Sequence, residues 1–329
     1  MAVKEGEILE PTRVKPITGK GFKVQSEQYV TVVGGVNIDI IGFPADNLVP
    51  RDSSPGIVKV SLGGVGRNIA ENLVRLGVPT KLVSAVGDDM YGQKVLAEAK
   101  LVGLDMQDSL MLTEQPTSTY MAVLDEKGNM SVAIAHMSIF DEISIEFIKQ
   151  KEHLIENSKA CVIDTNIPRE VIEYMLAINK RTDFILDPVS TVKAMKVKEL
   201  IGEFHTIKPN KIEAEVLSGI EINSKKDLEA CAGYFLAKGV KRVFISLGED
   251  GLYYNDGTNK GHVPAHKINI TNATGAGDAC TAALVYCYHK DFDIDYSARF
   301  AMSASALALA HEDTINPNMS AENVRNLIS

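Results

Sequence analysis
The chain has 329 residues, enough for one large α/β domain or two smaller ones. With 45% hydrophobic and 23% charged residues it has the composition of a globular protein, which excludes the disordered, collagenous and low-complexity classes. Its 34 basic against 43 acidic side chains leave a formal charge of −9, which argues against nucleic acid as a partner.

Residues 1–27 contain Pro11, Pro16, Gly19 and Gly21, show no sustained periodicity, and are expected to be a flexible extension outside the fold. They lack the apolar centre of a signal peptide, and no run of the chain approaches the ~18 apolar residues that span a bilayer. Cys161, Cys231, Cys280 and Cys287 form no C-x-x-C pair and read as buried thiols of a reducing compartment. A cytoplasmic protein with no membrane partner is the expectation.

Order begins with the β-branched run 29–33, which reads as a buried strand ending at Gly34-Gly35. After Gly66, Ile69, Leu73 and Leu76 recur at helical spacing and stop at Gly77. Residues 81–87 predict the next strand and turn, and 92–100 a helix. Runs 160–164 and 184–187 each end in an acid, with a helix over 169–179 between them. Runs 206–210 and 242–246 continue the series. Strand–helix alternation of this kind predicts a doubly wound, mostly parallel sheet flanked by helices, with ligands at the C-terminal strand ends. Residues 40–62 and 113–135 break the rhythm, with a hairpin signal at 125–129, and are expected to form a small β-sheet lid.

Thr274-Gly275-Ala276-Gly277-Asp278 precedes an apolar helical run. Small residues at a turn that opens a helix let backbone N–H groups meet an anion, and the helix dipole favours negative charge there. A phosphate held by Gly275, Ala276 and Gly277 would bring an attacking hydroxyl close to Asp278, an arrangement suited to phosphoryl transfer. The helix N-terminus is expected to lower the Asp278 pKa and keep it ionised at pH 7. A glycine turn with a capping Asp accounts for the same residues without any ligand. No Walker-type loop, protein-kinase catalytic loop or metalloprotease motif is present.

Gly63-Gly64-Val65-Gly66-Arg67-Asn68 opens an earlier helix, where Asn68 offers donor and acceptor to vicinal hydroxyls. Asn37 and Asp39, two apart after the first strand, can face one side. Asn210 and Glu213 share a helix face; they fit a capping box and also a site where Glu213 meets the waters of Mg²⁺. Ser246-Leu247-Gly248-Glu249-Asp250-Gly251 reads as a strand end and tight turn.

Taken in this order, the segments resemble the ribokinase-like, or phosphofructokinase-B, family of sugar and nucleoside kinases, from about residue 28 to the C-terminus. The resemblance implies a kinase domain over 28–329 with a β-lid, ATP as donor, Mg²⁺ as cofactor and a homodimer paired through the lid. It implies Asp278 as base and Gly275, Ala276 and Gly277 as anion hole. Asn37, Asp39, Gly63, Gly64 and Asn68 would hold the acceptor, with Thr119 and Asn166 selecting its base. Lys208, Asn210, Leu247, Gly248, Gly251 and Thr274 would line the ATP site, and Asn210 and Glu213 would serve the metal. Asn272 stands where many members carry an Asp that helps to bind a monovalent cation, which counts against potassium dependence. Within the family, Asp187-Pro188-Val189-Ser190 and the late run 311–317 are most similar to a branch that phosphorylates a nucleoside 5′-hydroxyl. A kinase acting on ribose, a ketose or a purine nucleoside is the first alternative. A catalytically silent nucleoside sensor is the second, and the intact Asp278 turn speaks against it.

Overall fold
The computed structural model describes residues 28–328 apart from 50, 179, 180 and 273. The expected extension 1–27 and the end of the helix expected to reach residue 179 lie outside the described residues. The β-branched run forms β1 (Val30–Val33), buried along its length. β2 (Asn37–Pro44) and β3 (Gly56–Gly63) follow as an antiparallel pair. Helix α1 (Val65–Arg75) starts after Gly64, whose φ of 97° lies where side chains are strained, and turns Ile69 and Leu73 into the core.

β4 (Thr80–Val83), β5 (Ala85–Gly87), α2 (Met90–Val102) and β6 (Leu110–Leu112) come next. The strand and turn expected over 81–87 are thus two short strands. Ser84 N–H donates to Ser109 Oγ at 3.0 Å, which interrupts the ladder, and β5 pairs with β6 in a separate two-stranded sheet. β7 (Thr119–Leu124) and β8 (Met130–His136) form the expected hairpin, its turn held by Asp125 accepting from the Lys127 and Asn129 N–H groups. Two short helices, α3 (Ile145–Lys149) and α4 (Glu152–Glu156), lead to β9 (Ala160–Asp164). Then α5 (Arg169–Ile178), β10 (Asp183–Asp187), α6 (Thr191–Ala194), β11 (Thr206–Ile207) and α7 (Lys211–Ser218) alternate. The chain closes with α8 (Lys225–Lys238), β12 (Arg242–Ser246), β13 (Leu252–Asn255), β14 (Lys260–Val263), α9 (Ala276–His289), α10 (Ile294–Leu309) and α11 (Ala321–Leu327).

Among the described residues the main sheet runs β14-β13-β12-β11-β10-β9-β1-β4. From β12 to β4 every pairing is parallel; β13 and β14 extend one edge antiparallel. Period-2 alternation splits the core between the two faces. Ala160 and Val162 pack with α1, α9 and α10, while Cys161 and Ile163 pack with α5, α7 and α8. All four cysteines are buried free thiols.

The second sheet has the order β3-β2-β7-β8 and matches the small β-structure expected from residues 40–62 and 113–135. Register sorts its side chains, since paired residues share a face. Asn37, Asp39, Ser61, Gly63 and Tyr120 lie on one face; Ile38, Val58, Val60, Thr119, Met121, Val132 and Ile134 lie on the other. Ile38, Leu62 and Thr119 lie at the root of this second face and Ile40 is partly buried, while Val58, Val60, Met121, Val132 and Ile134 are exposed, Val58 and Ile134 each 66%. No helix among the described residues is long and apolar enough to cross a membrane.

Candidate active site
The C-terminal ends of β1, β9, β10, β11 and β12 converge on one edge of the main sheet. Asp164, at the end of β9, is fully buried and accepts the Gly35 and Asn166 N–H groups, each at 2.8 Å. Arg67 N–H donates to the Gly35 carbonyl at 3.0 Å, so the N-terminus of α1 lies against the turn that follows β1. Asn37 Nδ2 donates to Asp39 Oδ1 at 2.5 Å, and any side chain at Gly63 would collide with the Asp39 carboxylate. Burial raises the Asp39 pKa, opposed by the Asn37 amide and the Arg67 guanidinium. Asn37, Asp39, Gly63 and Gly64 are thus one assembly, with a carboxylate able to accept two vicinal hydroxyls.

Gly275 caps α9 in the left-handed region at φ 86°, and a Cβ there would collide with the Thr314 carbonyl. The following N–H groups of Ala276, Gly277 and Asp278 lie in the first turn of α9, where no side chain caps them. Asn68 Nδ2 donates to Asp278 Oδ2 at 2.8 Å, joining two segments 210 residues apart. The expectation of a lowered Asp278 pKa is corrected here. Desolvation of this half-buried carboxylate, together with Asp187 and Asp164, outweighs the Asn68 hydrogen bond and the Lys208 charge, and pushes it up to about 7.

Lys208 is 6% exposed, with Nζ 3.3 Å from Asp187 Oδ2 and donating to the Gly277 carbonyl at 3.3 Å. Burial opposes its charge, but Asp187 and the neighbouring acids prevail and raise its pKa. Its ammonium therefore acts on the anion turn from behind. Asp187 also accepts Thr281 Oγ1 at 2.7 Å, and Ser305 Oγ donates to the Ala276 carbonyl at 3.1 Å.

Asn210 and Glu213 form a complete capping box: Asn210 N–H donates to Glu213 Oε2 at 2.8 Å and Glu213 N–H to Asn210 Oδ1 at 2.9 Å. Asn210 bridges to Ser246, which brings Leu247 and Gly248 beside it; Gly251 closes that turn, its N–H donating to the Gly248 carbonyl. Among the described residues no group of three His, Cys, Asp or Glu could hold a metal ion. One buried carboxylate and one amide fit Mg²⁺ that retains its waters and comes with a phosphate ligand. Exposed Thr274 donates its N–H to Asn272 Oδ1 at 2.9 Å, while Asn272 Nδ2 donates to the Glu312 carbonyl at 2.9 Å. Asn272 thus brings a neutral amide, and no carboxylate, to the Glu312 carbonyl.

Two expected base-selecting residues part company. Asn166 borders Gly35, and Lys193 Nζ donates to its Oδ1, which leaves Nδ2 as the free donor. Thr119 shares the face of Ile38, so the register does not bring it to Asp39; its neighbour Tyr120 takes that side. Sequence reasoning gave Asp187 and Arg67 no role at the site, and it placed Asp164 only in the strand end that carries Asn166, not as the residue that pins the turn after β1. The acids that end two apolar runs were the available signal for Asp164 and Asp187, and the position inside the glycine motif for Arg67. A cavity of about 770 Å³ is lined by Asp39, Lys59 and Ser61 of the small sheet and by Thr271, Asn272 and Thr274; Asn68 and Asp278 do not line it. Titrating the side-chain carboxyl carbon of Asp278 by NMR is expected to give a midpoint near 7 in the free protein, moved upward in Asn68→Ala. A midpoint below about 5, the ordinary range of an Asp, contradicts this account of its surroundings.

The family model described as pfkB family carbohydrate kinase matches residues 27–321. Pseudouridine kinase of Escherichia coli (strain K12) is 39% identical over 306 residues, covering 93% of this chain and 98% of that protein. A Clostridium perfringens structure assigned as a sugar kinase is 43% identical with a TM-score of 0.84, covering 92% of this chain and 96% of that one. The Arabidopsis thaliana ribokinase solved with ribose and ATP shares the fold at a TM-score of 0.80 and 22% identity, covering 92% and 98%. The chain belongs to the pfkB family of carbohydrate kinases.

Proposed function
We propose that the protein is a cytoplasmic ATP-dependent kinase that phosphorylates the 5′-hydroxyl of pseudouridine, giving pseudouridine 5′-phosphate and ADP. The observation that carries this reading is the Asn68–Asp278 hydrogen bond at the opening of the α9 turn, beside Arg67, whose charge reaches Asp39. Similarity to the Escherichia coli pseudouridine kinase supports the choice of acceptor.

Asp39 would accept ribose hydroxyls, fixing the sugar with its 5′-oxygen towards Asp278. Asp278 takes the hydroxyl proton as that oxygen bonds to the γ-phosphorus and the bond to the ADP oxygen breaks. Backbone N–H groups of the turn over Gly275, Ala276 and Gly277 receive the oxygens of the transferring group, and Lys208 adds positive charge beneath them. Mg²⁺ bound with ATP supplies charge neutralisation at the phosphates, next to Asn210 and Glu213. A carboxylate with a pKa near 7 is well matched to accepting a proton at neutral pH. Asn166, with Nδ2 free, suits a carbonyl oxygen of the base.

The acceptor is tested by ADP formation with pseudouridine, uridine, ribose, fructose and guanosine, each with and without K⁺ at constant ionic strength. Turnover is expected to be greatest with pseudouridine, to change less than about twofold with K⁺ because position 272 carries a neutral amide and no carboxylate, and to fall ~10²–10⁴-fold in Asp278→Asn. Turnover of ribose or fructose with none of pseudouridine overturns the substrate assignment.

The exposed apolar face of Val58, Val60, Met121, Val132 and Ile134, opposite Asp39, supports pairing of two copies through their small sheets. Sedimentation is expected to show a dimer that Ile134→Lys converts to monomer. A monomeric parent contradicts this arrangement.

A further inference from the structure
Arg67 occupies the position before Asn68 in the glycine motif and is 9% exposed. Its Nη1 donates to Asn68 Oδ1 at 3.3 Å and to the Leu62 carbonyl at 3.4 Å, while its Nη2 is paired with Glu71. Glu71, itself 4% exposed, also receives Arg75 through Nε at 2.9 Å and Nη2 at 2.8 Å. Arg75 reaches on to the Pro317 carbonyl at 3.0 Å. The line Arg75–Glu71–Arg67–Asn68–Asp278 runs along the exit face of α1 and ends on the carboxylate.

We infer that Arg67 is a positioning residue, whose guanidinium holds Asn68 Oδ1 so that the amide presents Nδ2 to Asp278. The inference rests on the reading of Asp278 as the base. The donor inventory carries it. A guanidinium only donates and a carboxylate only accepts, so an amide between the two satisfies both in a single orientation. Without Arg67, the amide is free to rotate and set Oδ1 against Asp278. Two oxygens facing each other there favour the protonated carboxyl, which cannot accept the acceptor's proton. Asp187, Asp164 and Lys208 face Asp278 from the ends of β9 and β10 and from the segment after β11, and they are the same in every variant below. Asp39 feels the Arg67 charge as well, so loss of that charge alone could weaken acceptor binding. The test separates the two effects.

Arg67→Met keeps an unbranched apolar stem without the guanidinium, and Glu71 retains Arg75 as its partner, so no buried carboxylate is left uncompensated. Steady-state kinetics are compared for the parent, Arg67→Met, Arg67→Lys, Asn68→Ala and the double variant Arg67→Met/Asn68→Ala. Arg67→Met and Asn68→Ala are each expected to lower kcat ~10–100-fold, the range of one hydrogen bond to a charged group. The double variant is expected within about threefold of Asn68→Ala, because Arg67 acts through that amide. Arg67→Lys, with one donor restored, should recover most of kcat. Multiplicative losses in the double variant, or a raised acceptor KM with kcat unchanged, overturn the inference. If Arg67→Met does not fold, Arg67→Leu and Arg67→Leu/Asn68→Ala carry the same cycle.

Failure of the substrate reading is seen separately, as a parent that ignores pseudouridine; the cycle then runs with whichever acceptor of the panel is turned over. If none is, NMR titration of Asp278 carries the comparison. Its midpoint should rise in Arg67→Met as in Asn68→Ala, and an unchanged midpoint in Arg67→Met overturns the inference.

Discussion

A hydrogen bond of 2.8 Å between Asn68 Nδ2 and Asp278 Oδ2 ties the start of α1 to the start of α9. Both helices begin at glycines with positive φ, Gly64 and Gly275, and both starts are set at the C-terminal edge of one parallel sheet. If either helix started elsewhere, Asn68 and Asp278 would not meet. The rest of the architecture serves to hold these two starts together. Asp164 pins the turn after β1 against α1, while Asp187 and Lys208 brace the first turn of α9 from beneath.

The electrostatics of the site follow from the same convergence. Asp278, Asp187 and Asp164 approach one another at the strand ends, where water is scarce, and Lys208 balances only part of their charge. Such a cluster is costly to bury unless its members are paired and hydrogen-bonded, and each member here has partners. Asp187 has Thr281 and Lys208, Asp164 has two backbone N–H groups, and Asp278 has Asn68. The outcome is a carboxylate whose pKa is pushed up to about 7, in the first turn of α9. A helix dipole acting alone would have given a stronger acid and a poorer base.

Much of this was legible in the sequence because it is local. The β-branched run of β1, the stripe of α1 and the Asn210–Glu213 capping box each depend on residues within a few positions of one another. The glycine motifs were legible for the same reason, since a turn that opens a helix needs small residues whatever surrounds it. What escaped was set by distant partners. The break at Ser84 comes from Ser109, twenty-five residues on. The face taken by Thr119 is decided by register against β2, which no property of β7 reveals. The Asp278 pKa depends on acids carried by two other strands, so the helix-end argument weighed one influence and lacked the larger ones. The oxygen of Asn166 is taken by Lys193, twenty-seven residues on, which the sequence around Asn166 does not reveal.

The central claim is that Asp278 and Asn68 meet the hydroxyl that is phosphorylated while the α9 turn holds the phosphoryl group. A crystal structure with pseudouridine and a non-hydrolysable ATP analogue addresses it most directly. The account predicts the 5′-oxygen within hydrogen-bond reach of Asp278, roughly 2.6–3.2 Å, with the terminal phosphate on the N–H groups of the turn over Gly275, Ala276 and Gly277. A complex with a different acceptor oxygen at Asp278, or with the terminal phosphate away from that turn, would contradict it.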